Sequence, residues 1–220
     1  MHLAHDFELI YEGESQKREE RHIAQTLQIG MRNSLGDVPG IATDSVYLSA
    51  TNSALVGGDF YTLICLPDDC AVMILGDVSG KGIEAASMSA LVKTALTAYA
   101  WEGAGPARMA RSLNSMLMGF SRVETFVTAF IAKIDLKAGR ATYCSAGHPP
   151  TMVIRPESMP LGGGEARGGE VELLGCQSGV IGAFESMVYE TGVFTFAPGD
   201  MLFMYTDGTI EARDRTGAFF

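Results

Sequence analysis

The chain has 220 residues, 47% of them hydrophobic and 19% charged, and a formal net charge of -10. This length and apolar content are sufficient to bury the core of one globular domain. The acidic excess argues against nonspecific nucleic-acid binding, which depends on dense Lys and Arg clusters, and no apolar run approaches the length of a membrane span.

The cysteines and the first residues indicate the compartment. No Cys-x-x-Cys pair occurs, so buried thiols are favoured over a disulfide or zinc framework. The cysteines are Cys65, Cys70, Cys144 and Cys176. The amino terminus lacks the basic-then-apolar order of a signal peptide. We therefore expect a cytoplasmic protein.

Residues 14–33 begin with a highly charged run and then carry Ile23, Leu27 and Met31 at four-residue spacing. This spacing predicts an amphipathic helix. The helix either packs on its own domain or acts as a linker that joins an upstream sensor or pairs two protomers. We divide the chain into a segment with this linker helix, 1–33, and a domain, 34–220.

The remaining elements alternate in a pattern typical of an α+β fold. A loop is expected at 33–40 and a glycine-rich loop, either a linker or a flap, at 160–169. Strands are predicted over 41–50, 59–66, 71–75, 125–136, 141–145, 151–154, 171–174, 187–196 and 201–205, and helices over 83–101 and 106–120. The alternation within 125–136 predicts a strand buried on one face. Strands at both ends with two helices between them favour antiparallel sheets with helices packed outside.

Three aspartates lie where an apolar run meets a glycine-rich bend. They are Asp59 in Gly57-Gly58-Asp59-Phe60-Tyr61, Asp77 in Gly76-Asp77-Val78-Ser79-Gly80-Lys81-Gly82, and Asp207 in Tyr205-Thr206-Asp207-Gly208. The second run is not a Walker A loop, because Leu75 and Gly82 stand where that motif needs a glycine and a Ser or Thr. Singly, each Gly-Asp pair is typical of a solvated turn.

Together, the three corners predict a metal site. A packed β-structure can bring such corners to one rim. Carboxylates without a matching set of cysteine and histidine suit hard cations such as Mg²⁺ or Mn²⁺, because these ions prefer oxygen ligands.

These corners resemble the metal-dependent PPM (PP2C-type) serine/threonine phosphatases, specifically the bacterial SpoIIE/RsbU branch. Further matches, in chain order, are Ala85-Ala86, Phe126-Val127-Thr128, Ala146-Gly147-His148-Pro149-Pro150, Pro198-Gly199-Asp200 and Glu211-Ala212. The resemblance covers about residues 20–220. It implies a four-layer αββα fold, in which a central antiparallel β-sandwich is flanked by helices and carries two Mn²⁺ or Mg²⁺ ions at one end.

The resemblance also implies roles for particular residues. Asp77 would bridge both cations, the Val78 carbonyl would bind one, and Asp207 would bind the other. Asp59 would be a ligand or would accept a hydrogen bond from the water, so that Asp59 and Asp77 are the candidate catalytic residues. Two cations that lower the pKa of a shared water and neutralise phosphoryl charge remove the need for a Cys or Ser nucleophile.

Two further residues in these motifs are left with open roles. His148 is either a general acid or a structural residue of the turn, and the structural role is favoured because proton transfer requires a specific geometry. Lys81 either contacts phosphate or a partner, or caps a solvated loop.

The sequence departs from the family pattern in two places. Thr62 stands where the family commonly carries an aspartate, and the chain stops at Phe220, before the expected last helix and strand with one more metal-binding aspartate. Both departures favour an alternative function, a weak or inactive phosphatase fold retained as a binding module. A missing strand would also leave a sheet edge that pairs with a second copy.

The resulting hypothesis is a phosphoprotein phosphatase acting on Ser or Thr. By resemblance, its substrate is a phosphorylated anti-sigma-factor antagonist in a bacterial partner-switching pathway. A homodimer is expected through either the linker helix or the exposed sheet edge.

Overall fold

The computed structural model describes residues 33–47, 57–120, 125–156 and 169–212. The strands are β1 (Ser34–Leu35), β2 (Phe60–Leu66), β3 (Cys70–Val78), β4 (Val127–Asp135), β5 (Arg140–Ala146), β6 (Met152–Arg155), β7 (Glu170–Leu173), β8 (Gln177–Ser178), β9 (Gly192–Thr195) and β10 (Met201–Phe203). The helices are α1 (Gly82–Trp101), α2 (Pro106–Met118) and α3 (Asp207–Ile210).

The larger sheet is mostly antiparallel and has the order β1-β2-β3-β4-β5-β8, with β9 also paired to β5. Its centre is the pair β3 and β4, which are aligned from Cys70 opposite Asp135 to Val78 opposite Val127. The β2–β3 turn contains Asp68 and Asp69 at φ 61° and 55°. Asp tolerates this left-handed conformation because its short side chain can hydrogen-bond locally.

The smaller sheet, of order β10-β6-β7, packs against one face of the larger one. The core between the sheets contains Phe130, Tyr143 and Phe194, whose rings lie 5.5 and 6.0 Å apart in succession. Such spacings are within the range of favourable aromatic contacts. The two sheets therefore form a sandwich.

Helices α1 and α2 cover the opposite face of the larger sheet. Pro106 starts α2, where its missing N–H and fixed φ do no harm. Leu96 of α1 and Met109 and Leu113 of α2 are fully buried in the core that these helices share with the sheet. In the described part of the chain, no helix is both long and apolar enough to cross a bilayer.

The prediction that the strand within 125–136 is buried on one face only is wrong. Strand β4 is buried on both faces, because Ala129 and Ile131 point into the helix-side core and Phe130 and Ala132 into the core between the sheets. A strand in the middle of a layered fold has no solvent face, and Thr128 and Lys133 are its half-buried polar positions.

Several predicted boundaries also needed correction. No strand occupies the described part, 41–47, of the predicted strand 41–50, whereas β1 lies inside the predicted loop 33–40. The strand predicted over 187–196 shrinks to β9, and β8 and α3 were not predicted. Two-residue strands and a four-residue helix carry too few positions to show a period.

The α+β class with a largely antiparallel sandwich is confirmed. Among the described residues, helices cover one outer face, and no helix lies on the outer face of the smaller sheet. That face is entirely apolar, being formed by Met152, Ile154, Val171, Leu173, Met201 and Phe203. The linker helix and most of the loop 160–169 lie outside the described residues.

Candidate metal centre

Asp59 and Asp77 lie at the same end of the β2–β3 hairpin. The antiparallel ladder pairs Phe60 with Gly76, so the two aspartates, one step further, face each other across the strands. Just beyond them, the Val78 N–H donates a hydrogen bond of 3.2 Å to the Gly58 carbonyl. Both carboxylates therefore project from the same end of the hairpin, on the face of the larger sheet that looks toward the smaller sheet.

Glycine is required at position 58 because Asp77 and the Val78 carbonyl lie very close to its backbone. A Cβ at this position would lie 2.4 Å from the Val78 carbonyl oxygen and 2.6 Å from Oδ1 of Asp77. The absence of a side chain thus lets the first glycine corner touch the second. The two corners form one surface that presents the Val78 carbonyl beside the Asp77 carboxylate.

The loop after Asp77 is fixed to the start of β4. The Ser79 N–H donates to the Phe126 carbonyl at 2.9 Å, and the Phe126 N–H donates to Ser79 Oγ at 3.0 Å. This reciprocal pair holds the Val78 carbonyl in place before Gly80 and Gly82 turn the chain, at φ 116° and 82°, into α1.

Asp207 reaches the same place from the smaller sheet. It is the first residue of α3, directly after Thr206, and follows the end of β10. The Thr206 side chain hydrogen-bonds to the Asp59 carboxylate. Asp207 also acts electrostatically on both Asp59 and Asp77, which places the three acidic groups at one end of the sandwich.

The cluster holds more negative charge than its surroundings neutralise. Burial, followed by repulsion from Asp59 and Asp207, raises the pKa of Asp77 to about 7. Burial also raises the pKa of Asp59, against the hydrogen bond from Thr206. Such shifts are the expected result of grouping carboxylates without a cation.

The donor set fits a hard divalent cation. It offers carboxylate oxygens and a backbone carbonyl, which are the ligand types that Mg²⁺ and Mn²⁺ prefer. Across the described ranges, however, no three His, Cys, Asp or Glu side chains are close enough together to hold an ion as they stand. The carboxylates converge on one region but form an open arrangement.

Residues 67–220 match the family described as Stage II sporulation protein E, SpoIIE. The chain belongs to the SpoIIE family. It is 27% identical over 192 residues to Protein IcfG of Synechocystis sp., covering 75% of this chain and 28% of that protein. It is 26% identical over 162 residues to the phosphoserine phosphatase RsbU of Bacillus subtilis, covering 74% and 45%.

Solved structures share the fold. The RsbU and RsbW domains of a Mycobacterium tuberculosis protein superpose with a TM-score of 0.60 at 27% identity, covering 76% of this chain and 43% of that one. The PP2C phosphatase domain of SpoIIE from Bacillus subtilis gives a TM-score of 0.59 at 21% identity, covering 74% and 44%. The chain spans less than half the length of the curated relatives it matches.

Two polar residues of this SpoIIE-family site were missed in the sequence. The Asn33 side chain accepts a hydrogen bond from the Tyr61 N–H at 3.0 Å and donates to the Asp59 carbonyl at 3.3 Å. The Tyr47 hydroxyl accepts from the Gly57 N–H at 2.8 Å, and burial, followed by the charges of Asp59 and Asp77, raises the pKa of its phenol. Because neither residue lies in a motif, only the tertiary contacts show their roles.

The other residues singled out in the sequence lie as follows. Lys81 is exposed and precedes α1 without capping it through its side chain. Thr62 is buried inside β2, opposite Ile74. His148 is only 3% exposed, and its Nδ1 atom lies 3.2 Å from Thr128 Oγ1.

The burial of His148 predicts acid sensitivity. Desolvation lowers the pKa of His148 from 6.5 to about 4, so the unfolded chain binds a proton between these values and the folded chain does not. The contribution of neutral His148 to the free energy of unfolding is therefore fully present above pH 6.5. It decreases as the pH falls toward 4, by roughly 3 kcal/mol in total.

Urea denaturation at pH 7 and pH 4.5 measures this loss. His148→Gln should lose about 2 kcal/mol less than the unaltered chain between the two pH values. Titrating carboxylates affect both proteins equally and cancel in the comparison. Equal losses in the two proteins would show that His148 does not stay neutral in the folded state.

Proposed function

We propose that the chain is a metal-dependent phosphoprotein phosphatase that acts on phosphoserine or phosphothreonine. The observation that carries this proposal is the convergence of Asp59, Asp77 and Asp207 beside the Val78 carbonyl, at one end of a sandwich that belongs to the SpoIIE family. Phosphoryl transfer requires positioning and charge neutralisation more than a covalent nucleophile. An acidic rim that binds cations meets that requirement.

We assign the cation ligands to Asp77, the Val78 carbonyl and Asp207, with Asp59 as a further ligand or as an acceptor for the attacking water. Two Mn²⁺ or Mg²⁺ ions bound there would lower the pKa of a water molecule and neutralise charge on the phosphoryl oxygens. The RsbX structure, one of the similar folds, was determined in complex with magnesium.

The chain's own residues prepare the site in three ways. Gly58 brings the two glycine corners into contact, and the Ser79–Phe126 pair fixes the loop that carries the Val78 carbonyl. Thr206 orients the Asp59 carboxylate by a hydrogen bond. A site whose ligands are held in this way needs less reorganisation when charge develops in the transition state.

The proposed substrate is a phosphorylated protein of a partner-switching pathway, an anti-sigma-factor antagonist, encountered in the cytoplasm. The relatives RsbU and RsbP are phosphoserine phosphatases, and a similar solved structure joins RsbU and RsbW domains.

A homodimer is also proposed, since β10 pairs only with β6 among the described strands and leaves an edge for a second copy. Light scattering that shows only monomers at every concentration would exclude that dimer.

Release of inorganic phosphate from a serine-phosphorylated antagonist protein tests the proposal. The chain with saturating Mn²⁺ should release phosphate, lose this activity in EDTA and recover it when Mn²⁺ is returned. Release that is insensitive to EDTA would contradict the metal-dependent mechanism. Failure to dephosphorylate any phosphoserine or phosphothreonine protein would instead support the binding-module function.

A further inference from the structure

His148 lies between two parts of the molecule that carry the acidic cluster. It follows β5 in a turn that begins at Gly147, where φ is 63°, and its side chain is only 3% exposed. Its Nδ1 atom is 3.2 Å from Thr128 Oγ1. Thr128 is the direct partner of Asp77 in the β3–β4 ladder, so the imidazole is one residue removed from the first carboxylate corner.

The other neighbour of the imidazole is the chain that carries Asp207. Burial lowers the pKa of His148, and the Tyr205 backbone opposes this by favouring the protonated ring, as a hydrogen-bond acceptor does, so the interacting group is the Tyr205 carbonyl. Tyr205 is followed by Thr206, which hydrogen-bonds to Asp59, and then by Asp207. We call residues 205–207 the acidic arm.

The hydrogen-bond geometry shows that the contact between His148 and the acidic arm is incomplete. The Nε2 atom is buried and, among the described residues, has no partner in hydrogen-bond geometry. Leaving such a buried donor or acceptor unpaired destabilises a protein. At the same time, the three carboxylates do not yet close around a common centre. The acidic arm is the segment that carries both the Tyr205 backbone, which interacts with the ring, and Asp207 of the cluster.

We propose that His148 is a positioning residue for this centre: as a neutral imidazole it accepts a hydrogen bond from Thr128 at Nδ1 and donates from Nε2 to the Tyr205 carbonyl, and this second bond would shorten in the cation-bound protein. The proposal rests on the proposed metal centre. It assigns no contact with substrate, because the side chain is almost completely buried.

The chemistry of the side chain offers a matched pair of variants. A glutamine amide places its NH₂ group near the position of Nε2 and keeps a donor for the Tyr205 carbonyl. An asparagine amide reaches only the position of Nδ1, so it keeps the Thr128 contact and loses the donor to the arm. Thr151→Val is the control, because Thr151 is buried in the same turn and its Oγ1 has no partner among the described residues.

Calorimetric titration of Mn²⁺ into EDTA-treated protein measures the effect. His148→Asn should bind Mn²⁺ at least about tenfold more weakly, as supporting residues around metal ligands typically do. His148→Gln should recover most of that loss, and Thr151→Val should bind like the unaltered chain. Thermal unfolding of each metal-free variant identifies any that fail to fold.

Histidine ring NMR with Mg²⁺, a diamagnetic probe, supplies a readout that a purely structural residue would not change. The His148 signals, assigned by their absence in His148→Gln, should show the Nε2–H tautomer and a downfield shift of that proton when Mg²⁺ is added. Ring signals that stay unchanged at Mg²⁺ saturation would overturn the proposal.

In the same calorimetric series, Asp77→Asn distinguishes the metal centre itself from the positioning role of His148. If Asp77→Asn binds Mn²⁺ as tightly as the unaltered chain, the proposed metal centre itself is wrong. If Asp77→Asn loses binding while folded His148→Asn keeps the affinity of the unaltered chain, the centre stands and the positioning role of His148 is rejected.

Discussion

Asp77→Asn is expected to lower phosphatase activity by roughly 100-fold or more, because a cation ligand that stabilises transition-state charge contributes several kcal/mol. The same change should raise the melting temperature of the metal-free protein at pH 8. In the folded chain, burial and repulsion from Asp59 and Asp207 disfavour the charged carboxylate, and asparagine removes this penalty. Activity and stability should thus move in opposite directions.

The stability of the metal-free fold should decrease with rising pH because Asp77 ionises. The carboxyl group has a pKa of about 7 in the folded chain and 3.8 as its ordinary value, so ionisation destabilises the metal-free fold as the pH rises through this window. The increase in melting temperature that Asp77→Asn gives the metal-free protein should therefore be fully present at pH 8 and absent below pH 3.8. Differential scanning calorimetry in EDTA measures it.

Asp68→Asn is the matched control for this charge. Asp68 lies at the opposite end of the same hairpin, at φ 61°, a conformation that asparagine also adopts readily. This variant should retain full activity and unaltered Mn²⁺ dependence. An Asp77→Asn protein that keeps the activity of the Asp68→Asn control would exclude Asp77 from the catalytic site.

Gly58→Ala is expected to lower activity by about 100-fold although it removes no functional group. The added Cβ would stand 2.4 Å from the Val78 carbonyl oxygen and 2.6 Å from Asp77 Oδ1, so one glycine corner must move away from the other. A displacement of about 1 Å at a reaction centre can reduce the rate by this factor. Calorimetry should show weaker Mn²⁺ binding as well.

Gly175→Ala is the control for Gly58→Ala. A Cβ at Gly175 has no atom within 4 Å, and the substitution should leave both activity and Mn²⁺ affinity unchanged. Steady-state kinetics of the two variants at saturating Mn²⁺ make the comparison. Equal activity in Gly58→Ala and Gly175→Ala would show that the close approach of the two corners is not needed for catalysis.

The sequence was most informative where a short motif and a ladder coincide. Asp59 and Asp77 could be placed together because each lies at a glycine corner next to an apolar run. Asp59 directly precedes β2 and Asp77 is near the end of β3, and the β2–β3 hairpin brings these two positions side by side. The long helix α1 was also predicted, since its twenty residues are rich in the strong helix formers Ala, Leu and Met, whereas a two-residue strand such as β1 offers too few positions for any pattern.

What the sequence did not show depends on contacts between distant segments. Asn33 bonds to Asp59 across 26 residues, and neither its type nor its surroundings indicate this partner. The burial of both faces of β4 follows from its place between two layers, which alternation within the strand does not report. His148 was recognised as a residue of interest, but its two neighbours, Thr128 and Tyr205, lie in distant parts of the sequence.

The most direct test of the central claim is a crystal structure of the chain grown with MnCl₂, with diffraction data collected at the manganese absorption edge. Our account predicts anomalous density between the Asp77 carboxylate, the Val78 carbonyl and Asp207, with Asp59 beside it. Anomalous density only at other sites, with these carboxylates bound to no ion, would contradict it.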